Sequence, residues 1–355
     1  MNIDYYELSN KYDLLEHGMP KMIGIKKAIE LAQQEKDYVC TLKFMEDYMH
    51  EAFFCDDAFQ AMILFPEYAA IYDTHPEIHN EYTPYDFLWV YKWIIGNTFE
   101  FYQISHEKIM EYFEDFKNRC IENGFSLRTY YMKLADYLEE IDIKKFKEVI
   151  KKYKSEKRDI LSDCEACELD GEVYFELNYG DFQTALKLAK PILNKQKKCA
   201  DVPRITYANL LDYYIKQNDM ENATIYEKLL LKEIKNVKHL VSLSKLLKYY
   251  TLTDINKGIR IFKKHLPEAI QTKDPIDKFN FELQVYHLLK ETKRQRKRNT
   301  IQLLLDKKFP LYKEDGVYQF DELIEYFFKN ITEIAQKFDN RNKNNNFSIK
   351  INQNI

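Results

Sequence analysis

The chain has 355 residues, with only 8 Gly and 9 Pro, and its 53 Lys and Arg residues are nearly balanced by 57 Asp and Glu residues for a formal net charge of -4. Tight turns, bulges and phosphate-binding loops use glycine, so this composition argues against sandwiches, barrels and doubly wound sheets. The charge balance argues against a non-specific nucleic-acid binder, which needs clustered positive charge.

The N-terminal region shows helical periodicity from its first apolar positions onward. Apolar residues recur at helical spacing in 23–32 and again in 42–49, so residues 1–80 are predicted to form N-terminal helical hairpins. The first residues have neither the basic start nor the apolar stretch of a signal peptide, and no window is apolar enough to span a membrane. We therefore expect a cytoplasmic protein.

Residues 81–300 carry a recurring pattern of an aromatic or Leu-rich helix, a short turn with Asp, and a second helix. The turn aspartates Asp142, Asp181, Asp219 and Asp254 follow one another at intervals of 39, 38 and 35 residues. Such intervals fit one helix pair per repeat. Asp181 and Asp219 are expected to cap the second helix, and Gly180 or Asn218 to end the first helix in a left-handed conformation.

The second helix of each pair opens toward a small residue. These residues are expected to be small because the two helices cross closely there: Ala185, Ala223 and Gly258.

Two of these turns resemble the inter-helix turn of the tetratricopeptide repeat (TPR) family. They are Gly180-Asp181-Phe182-x-x-Ala185 and Asn218-Asp219-Met220-Glu221-x-Ala223. The first-helix Trp and the late Pro of the family are mostly missing, so the pattern is a degenerate one. The resemblance implies an all-α fold, an α-solenoid of stacked antiparallel helix pairs, whose groove binds a protein or peptide. The competing all-α interpretation is an ordinary multi-helix globule.

The resemblance also implies which residues would bind a partner, because first helices of TPR pairs line the groove. The residues it places there are Asp170, Tyr174, Asn209, Asp212 and Ser244. An Asn side chain can bridge a peptide N–H and C=O, and the two carboxylates would favour a basic or N-terminal-amine partner. The alternative is that these are merely exposed polar positions.

A cysteine pattern gives a candidate metal site. Cys164 and Cys167 open the first helix of one repeat, Cys199 follows its second helix, and His239 follows the second helix of the next repeat. Antiparallel pairing would bring all four to one edge, with the N and S ligands of a structural zinc ion. The alternatives are cysteines packed as small apolar residues and redox-sensitive thiols.

The C-terminal region completes the predicted organisation. Residues 301–337 are expected to form a C-terminal helical cap, and residues 338–355 an Asn-rich flexible tail.

The chain has no dinucleotide-binding glycine motif, no Walker loop and no nucleophile elbow. The sequence therefore predicts a protein- or peptide-binding scaffold that is not an enzyme and needs no cofactor to fold. The alternatives are a peptide-responsive bacterial regulator of the TPR type and a zinc- or redox-responsive protein. Partner identity and oligomeric state stay open, and nucleic acid is not expected as a partner.

Overall fold

The computed structural model describes residues 4–55, 57–234 and 239–353. The described chain is helical apart from one small two-stranded sheet, which confirms the expected all-α class. Its contacts define two compact units. The first comprises Met1–Ser162, Thr272–Pro275 and Asn340–Asn344, and the second comprises Asp163–Gln271, Ile276–Asp339 and Asn345–Ile355. This division, with its main boundary after Ser162, differs from the predicted boundaries at residues 80, 300 and 337.

The first unit contains eight α-helices among its described residues. They are α1 (Tyr5–Asp13), α2 (Met19–Gln34), α3 (Tyr38–Phe54), α4 (Ala58–Thr74), α5 (Pro84–Asn97), α6 (His106–Glu122), α7 (Arg128–Glu139) and α8 (Ile143–Ser155). Consecutive helices pack together, α2 on α3, α3 on α4 and α7 on α8. An aromatic core holds this unit, in which Phe65 lies 4.5 Å from Tyr91 and Tyr68 stacks on Phe87, measured between ring centroids.

The second unit begins with three helix pairs. Its elements are α9 (Glu165–Tyr179), α10 (Phe182–Leu193), α11 (Arg204–Lys216), α12 (Met220–Glu233), α13 (Leu240–Thr253), α14 (Ile255–Gln271), α15 (Pro275–Arg296), β1 (Thr300–Gln302), β2 (Val317–Gln319), α16 (Phe320–Asn342) and α17 (Asn346–Asn352). Within each pair, α9 packs on α10, α11 on α12 and α13 on α14. The first helices also contact one another, α9 with α11 and α11 with α13, so the pairs are stacked.

All four turn aspartates cap the helix that follows them, which was predicted for Asp181 and Asp219. Each carboxylate accepts a hydrogen bond from a backbone N–H in the first turn of the following helix: Asp142 from Lys144 at 3.0 Å, Asp181 from Thr184 at 2.8 Å, Asp219 from Asn222 at 3.1 Å and Asp254 from Lys257 at 3.1 Å. Their common setting supports one repeated helix–turn–helix unit.

Of the two residues expected to end first helices in a left-handed conformation, one does so and the other does not. Asn218 has φ 55°, the left-handed conformation that terminates α11. Gly180 is not left-handed, with φ -126° and ψ -135°. A Cβ atom there would overlap the carboxylate of Glu176, which accepts a hydrogen bond from the Asp181 N–H at 3.0 Å, so a larger residue would require that side chain to move.

The small residues are buried between helices. Ala185 and Ala223 are fully buried. A Cβ atom on Gly258 would lie 2.7 Å from Cδ1 of Leu288, so α14 and α15 approach one another more closely than a larger residue would allow. The expected close crossing within a pair does not explain Gly258, whose nearest neighbour lies on α15, and for Ala185 and Ala223 it stays a prediction.

The C-terminal predictions need correction. Residues 301–337 are not wholly helical, because β1 pairs antiparallel with β2 before α16 begins. The predicted flexible tail 338–355 is wrong where the structure describes it: α16 continues to Asn342, and α17 follows, with Phe347 only 3% exposed. The carboxylate of Asp339 accepts hydrogen bonds from the N–H groups of Phe347 and Ser348 at 2.9 and 3.0 Å. Residues 354 and 355 lie outside the described chain.

Candidate functional site

A highly charged contact of the second unit lies where α11 meets α13. The buried carboxylate of Asp212 has three ammonium groups around it, those of Lys216 at 2.8 Å, Lys248 at 2.9 Å and Lys245 at 3.4 Å. We call these four residues the lysine cluster. Three positive charges meet one negative charge, so the cluster has a surplus of two positive charges.

The electrostatics of the lysine cluster follow from burial and crowding. Burial alone would raise the pKa of Asp212, but the three lysines lower it more, and the pKa falls well below its usual range. Burial lowers the pKa of Lys245; Asp212 partly offsets this, while Lys216 and Lys248 add repulsion. A further anion beside these lysines would therefore relieve repulsion between them.

The second predicted groove carboxylate also has an internal partner. Thr206 on α11 donates its hydroxyl hydrogen bond to Asp170 on α9, and burial raises the pKa of Asp170 to about 6. Asp170 and Asp212 are 7% and 6% exposed. Each carboxylate links neighbouring first helices, so neither projects into open solvent as the sequence interpretation expected.

The other three predicted partner residues differ in how much they offer a ligand. Ser244 is buried and donates to the carbonyl of Val241 at 2.6 Å. Tyr174 is half-buried on α9 and lies edge-on to Phe175. Asn209 is half-buried on α11, and its amide has no hydrogen-bond partner within the described ranges 4–55, 57–234 and 239–353. Of the five, Asn209 is the residue best placed to bond a ligand.

Asn209 and Lys245 line the same small cavity. It has a volume of about 290 Å³, and its walls include Asp201, Arg204 and His239. Burial, together with the charge of Arg204, lowers the pKa of His239 to about 4, so its imidazole is neutral at pH 7.

A larger cleft lies between the end of α13, the helix α15 and the C-terminal α17. It measures about 770 Å³, and its walls include Tyr286, His287, Lys290 and Arg294. Lys290 lies over the Tyr286 ring, 4.9 Å from its centroid. Burial, together with the charges of Lys290 and Lys248, lowers the pKa of His287 to about 4. Lys248 thus belongs to the lysine cluster and also acts electrostatically on His287 in this cleft.

Sequence reasoning missed the lysine cluster because its residues belong to no motif. Lys216 follows Asp212 by one helical turn, whereas Lys245 and Lys248 come from the next first helix. The available signal was the register of the repeat: aligning successive first helices places lysines of α13 beside the end of α11.

The structure brings together the three predicted cysteines but not His239. The Sγ atoms of Cys164, Cys167 and Cys199 all lie within 4.8 Å of one another. Burial raises the pKa of Cys167. Burial also acts to raise the pKa of Cys164, but hydrogen bonds from Cys167 outweigh it, so the net pKa is below its ordinary value. We call these three residues the cysteine cluster.

Comparison of the chain with protein-family models, with curated proteins and with solved structures gives no match. None of the helices in the described ranges is both long and apolar enough to cross a bilayer. The lysine cluster and the cysteine cluster are therefore the features from which function is inferred.

Proposed function

We propose that this chain is a TPR-like helical-repeat protein that binds an acidic protein or peptide segment along the first helices of its second unit, without catalysis. The lysine cluster carries the proposal, because three lysines converge there on one buried carboxylate. Stacked helix pairs present an extended surface of this kind to partners.

The charge of the expected partner is the reverse of that first inferred from the sequence. Asp170 and Asp212 favoured a basic partner, but both carboxylates are engaged inside the helix layer. Lys216 keeps half of its side chain exposed, and Lys245 keeps 28%. Carboxylates of a ligand would form charge-assisted hydrogen bonds with these ammonium groups.

Asn209 adds a contact that does not depend on the ligand's charge. Its amide carries both a donor and an acceptor and lines the same cavity as Lys245. An extended peptide would offer a backbone C=O and N–H to this amide. This combination supports binding of acidic segments with little demand on their sequence.

The direct test is the binding of a fluorescein-labelled oligo-glutamate peptide to the full chain, followed by fluorescence anisotropy. We expect the double variant Lys245→Gln/Lys248→Gln to bind at least about tenfold more weakly, a change of about 1.4 kcal/mol. Binding should also weaken as salt is added, since exposed charges are screened over about 10 Å at 0.1 M ionic strength.

The matched control is Lys228→Gln/Lys232→Gln, which removes the same charge from exposed positions on α12. It should bind like the unmodified chain. The variant Lys245→Arg/Lys248→Arg keeps the charge and should retain binding, which separates charge loss from misfolding. Equal losses in the Gln variant and its control, or preferential binding of oligo-lysine, would refute the proposal.

A further inference from the structure

The cysteine cluster is held together by contacts close to it in the chain. Cys164 is the N-cap of α9, and Cys167 lies in its first turn. Cys199 lies in a turn closed by the hydrogen bond from its own N–H to the Val202 carbonyl, at 3.0 Å. An ion pair between Lys197 and Glu165 joins the segment after α10 to the start of α9.

The sulfur positions suit a single metal ion. The Sγ atoms of Cys167 and Cys199 are 3.2 Å apart, and all three Sγ atoms lie within 4.8 Å of one another. A Zn–S bond is about 2.3 Å long, so two sulfurs of one tetrahedral site lie about 3.8 Å apart. Side-chain rotations that move the sulfur atoms by about one ångström or less would therefore bring all three sulfurs to one ion.

Two of the three sulfurs already accept backbone hydrogen bonds. The N–H of Cys167 donates to Cys164 Sγ, and the N–H of Val202 donates to Cys199 Sγ, both at 3.4 Å. Donors of this kind stabilise a thiolate and orient a metal ligand. In both turns the donor lies three residues after the cysteine whose sulfur accepts.

We propose that Cys164, Cys167 and Cys199 bind one thiophilic metal ion, Zn²⁺, with a fourth coordination position open to solvent or to a ligand. Sulfur-only donor sets select thiophilic ions such as Zn²⁺ and Cu⁺. Three thiolates and Zn²⁺ carry one net negative charge, and the nearby Arg204 guanidinium is already paired with the Asp201 carboxylate. Cu⁺ would leave two negative charges, so charge balance favours Zn²⁺. Cys164 is exposed, which leaves the fourth position accessible.

The test begins with full-length protein that has been reduced, stripped of metal, incubated with Zn²⁺ and desalted. Elemental analysis should then find about one zinc per chain, and Co²⁺ in its place should give sulfur-to-metal charge-transfer absorption. A parallel sample with Cu⁺ tests the choice of ion, and uptake of Cu⁺ without Zn²⁺ would overturn it.

Three variants locate the site. Cys167→Ser and the exposed Cys164→Ser should each retain less than about a tenth of the zinc, whereas Cys55→Ser, outside the cluster, should retain all of it. Helical circular dichroism would verify that Cys164→Ser stays folded. Zinc uptake that is unchanged in Cys164→Ser, or a Cys167–Cys199 disulfide in a chain that takes up no metal when reduced, would overturn the proposal.

Discussion

At the scale of single residues, Asp170 and Asp212 show how two buried carboxylates in equivalent layers acquire opposite energetics. Asp170 has one hydroxyl donor from Thr206, which does not offset burial, and its pKa rises. Asp212 has three lysines, which more than offset burial, and its pKa falls. The number of lysines near the carboxylate decides whether its pKa rises or falls. Lysines that come from the next first helix cannot be recognised in the local sequence.

We expect Asp170→Asn to stabilise the protein at pH 8. Because the folded pKa of about 6 exceeds the unfolded value near 3.9, the native state holds a proton that the unfolded chain releases, and stability falls as pH rises between these values. The variant removes this cost and should gain about 1–3 kcal/mol in free energy of unfolding at pH 8. Urea unfolding measured at pH 4 and pH 8 checks it.

The gain should vanish at pH 4, where the native carboxyl is already neutral. Asp212→Asn is the matched comparison, since its folded pKa is below the unfolded value. It should lose stability at pH 8, with the loss shrinking as pH falls below about 4. An Asp170→Asn variant that is less stable than the parent at pH 8 would contradict this account.

At the scale of elements, the sequence predicted the helix pairs and their turns well. It predicted less well how the first helices end and what the C-terminal region forms. The capping aspartates were recognisable because a cap is a local interaction over three residues. Gly180 was misassigned because its backbone is not left-handed, and its nearest neighbour is the Glu176 side chain. The strands β1 and β2 are three residues each, too short to show an alternating pattern.

The C-terminal helix α17 gives a prediction at this scale. Phe347 stacks on Phe338 with ring centroids 4.4 Å apart and lies edge-on to Phe279 at 5.3 Å. Phe347→Ala should therefore cost about 3 kcal/mol in free energy of unfolding. Urea unfolding followed by circular dichroism measures the loss.

The control is Ile349→Ala in the same helix, where the side chain is 52% exposed and the loss should stay below about 0.5 kcal/mol. Similar values for the two variants would mean that α17 does not contribute to the core. The Asn-rich composition of this region concealed Phe347 and Ile351, which are one helical turn apart and both buried.

At the scale of the whole molecule, the repeat pattern was predictable but the division into units was not. The series of turn aspartates extends from Asp142 to Asp254, and its spacing does not change at the boundary after Ser162. Two short segments return to the first unit through tertiary contacts, such as the ion pair of Lys273 with Asp57 at 2.9 Å and the bond from Arg341 to the Phe99 carbonyl at 2.7 Å. Partners so distant in the chain leave no periodic signal.

The proposed binding surface keeps the position that the sequence suggested, but not the charge of the expected partner. First helices were expected to carry it, and Asn209 retains the role proposed for it. The carboxylates were expected to meet the partner, whereas the structure surrounds Asp212 with lysines. The charge of such a surface depends on which side chains neighbouring helices bring together.

The affinity of the full-length Asp212→Asn variant for oligo-glutamate tests the central claim most directly. Asp212 competes with a ligand carboxylate for the same three lysines, so its removal should tighten binding several-fold, by about 1 kcal/mol. A surface that uses Asp212 to hold a basic partner would respond in the opposite way. Weaker oligo-glutamate binding by a folded Asp212→Asn variant, or loss of a measurable affinity for oligo-lysine, would contradict the account.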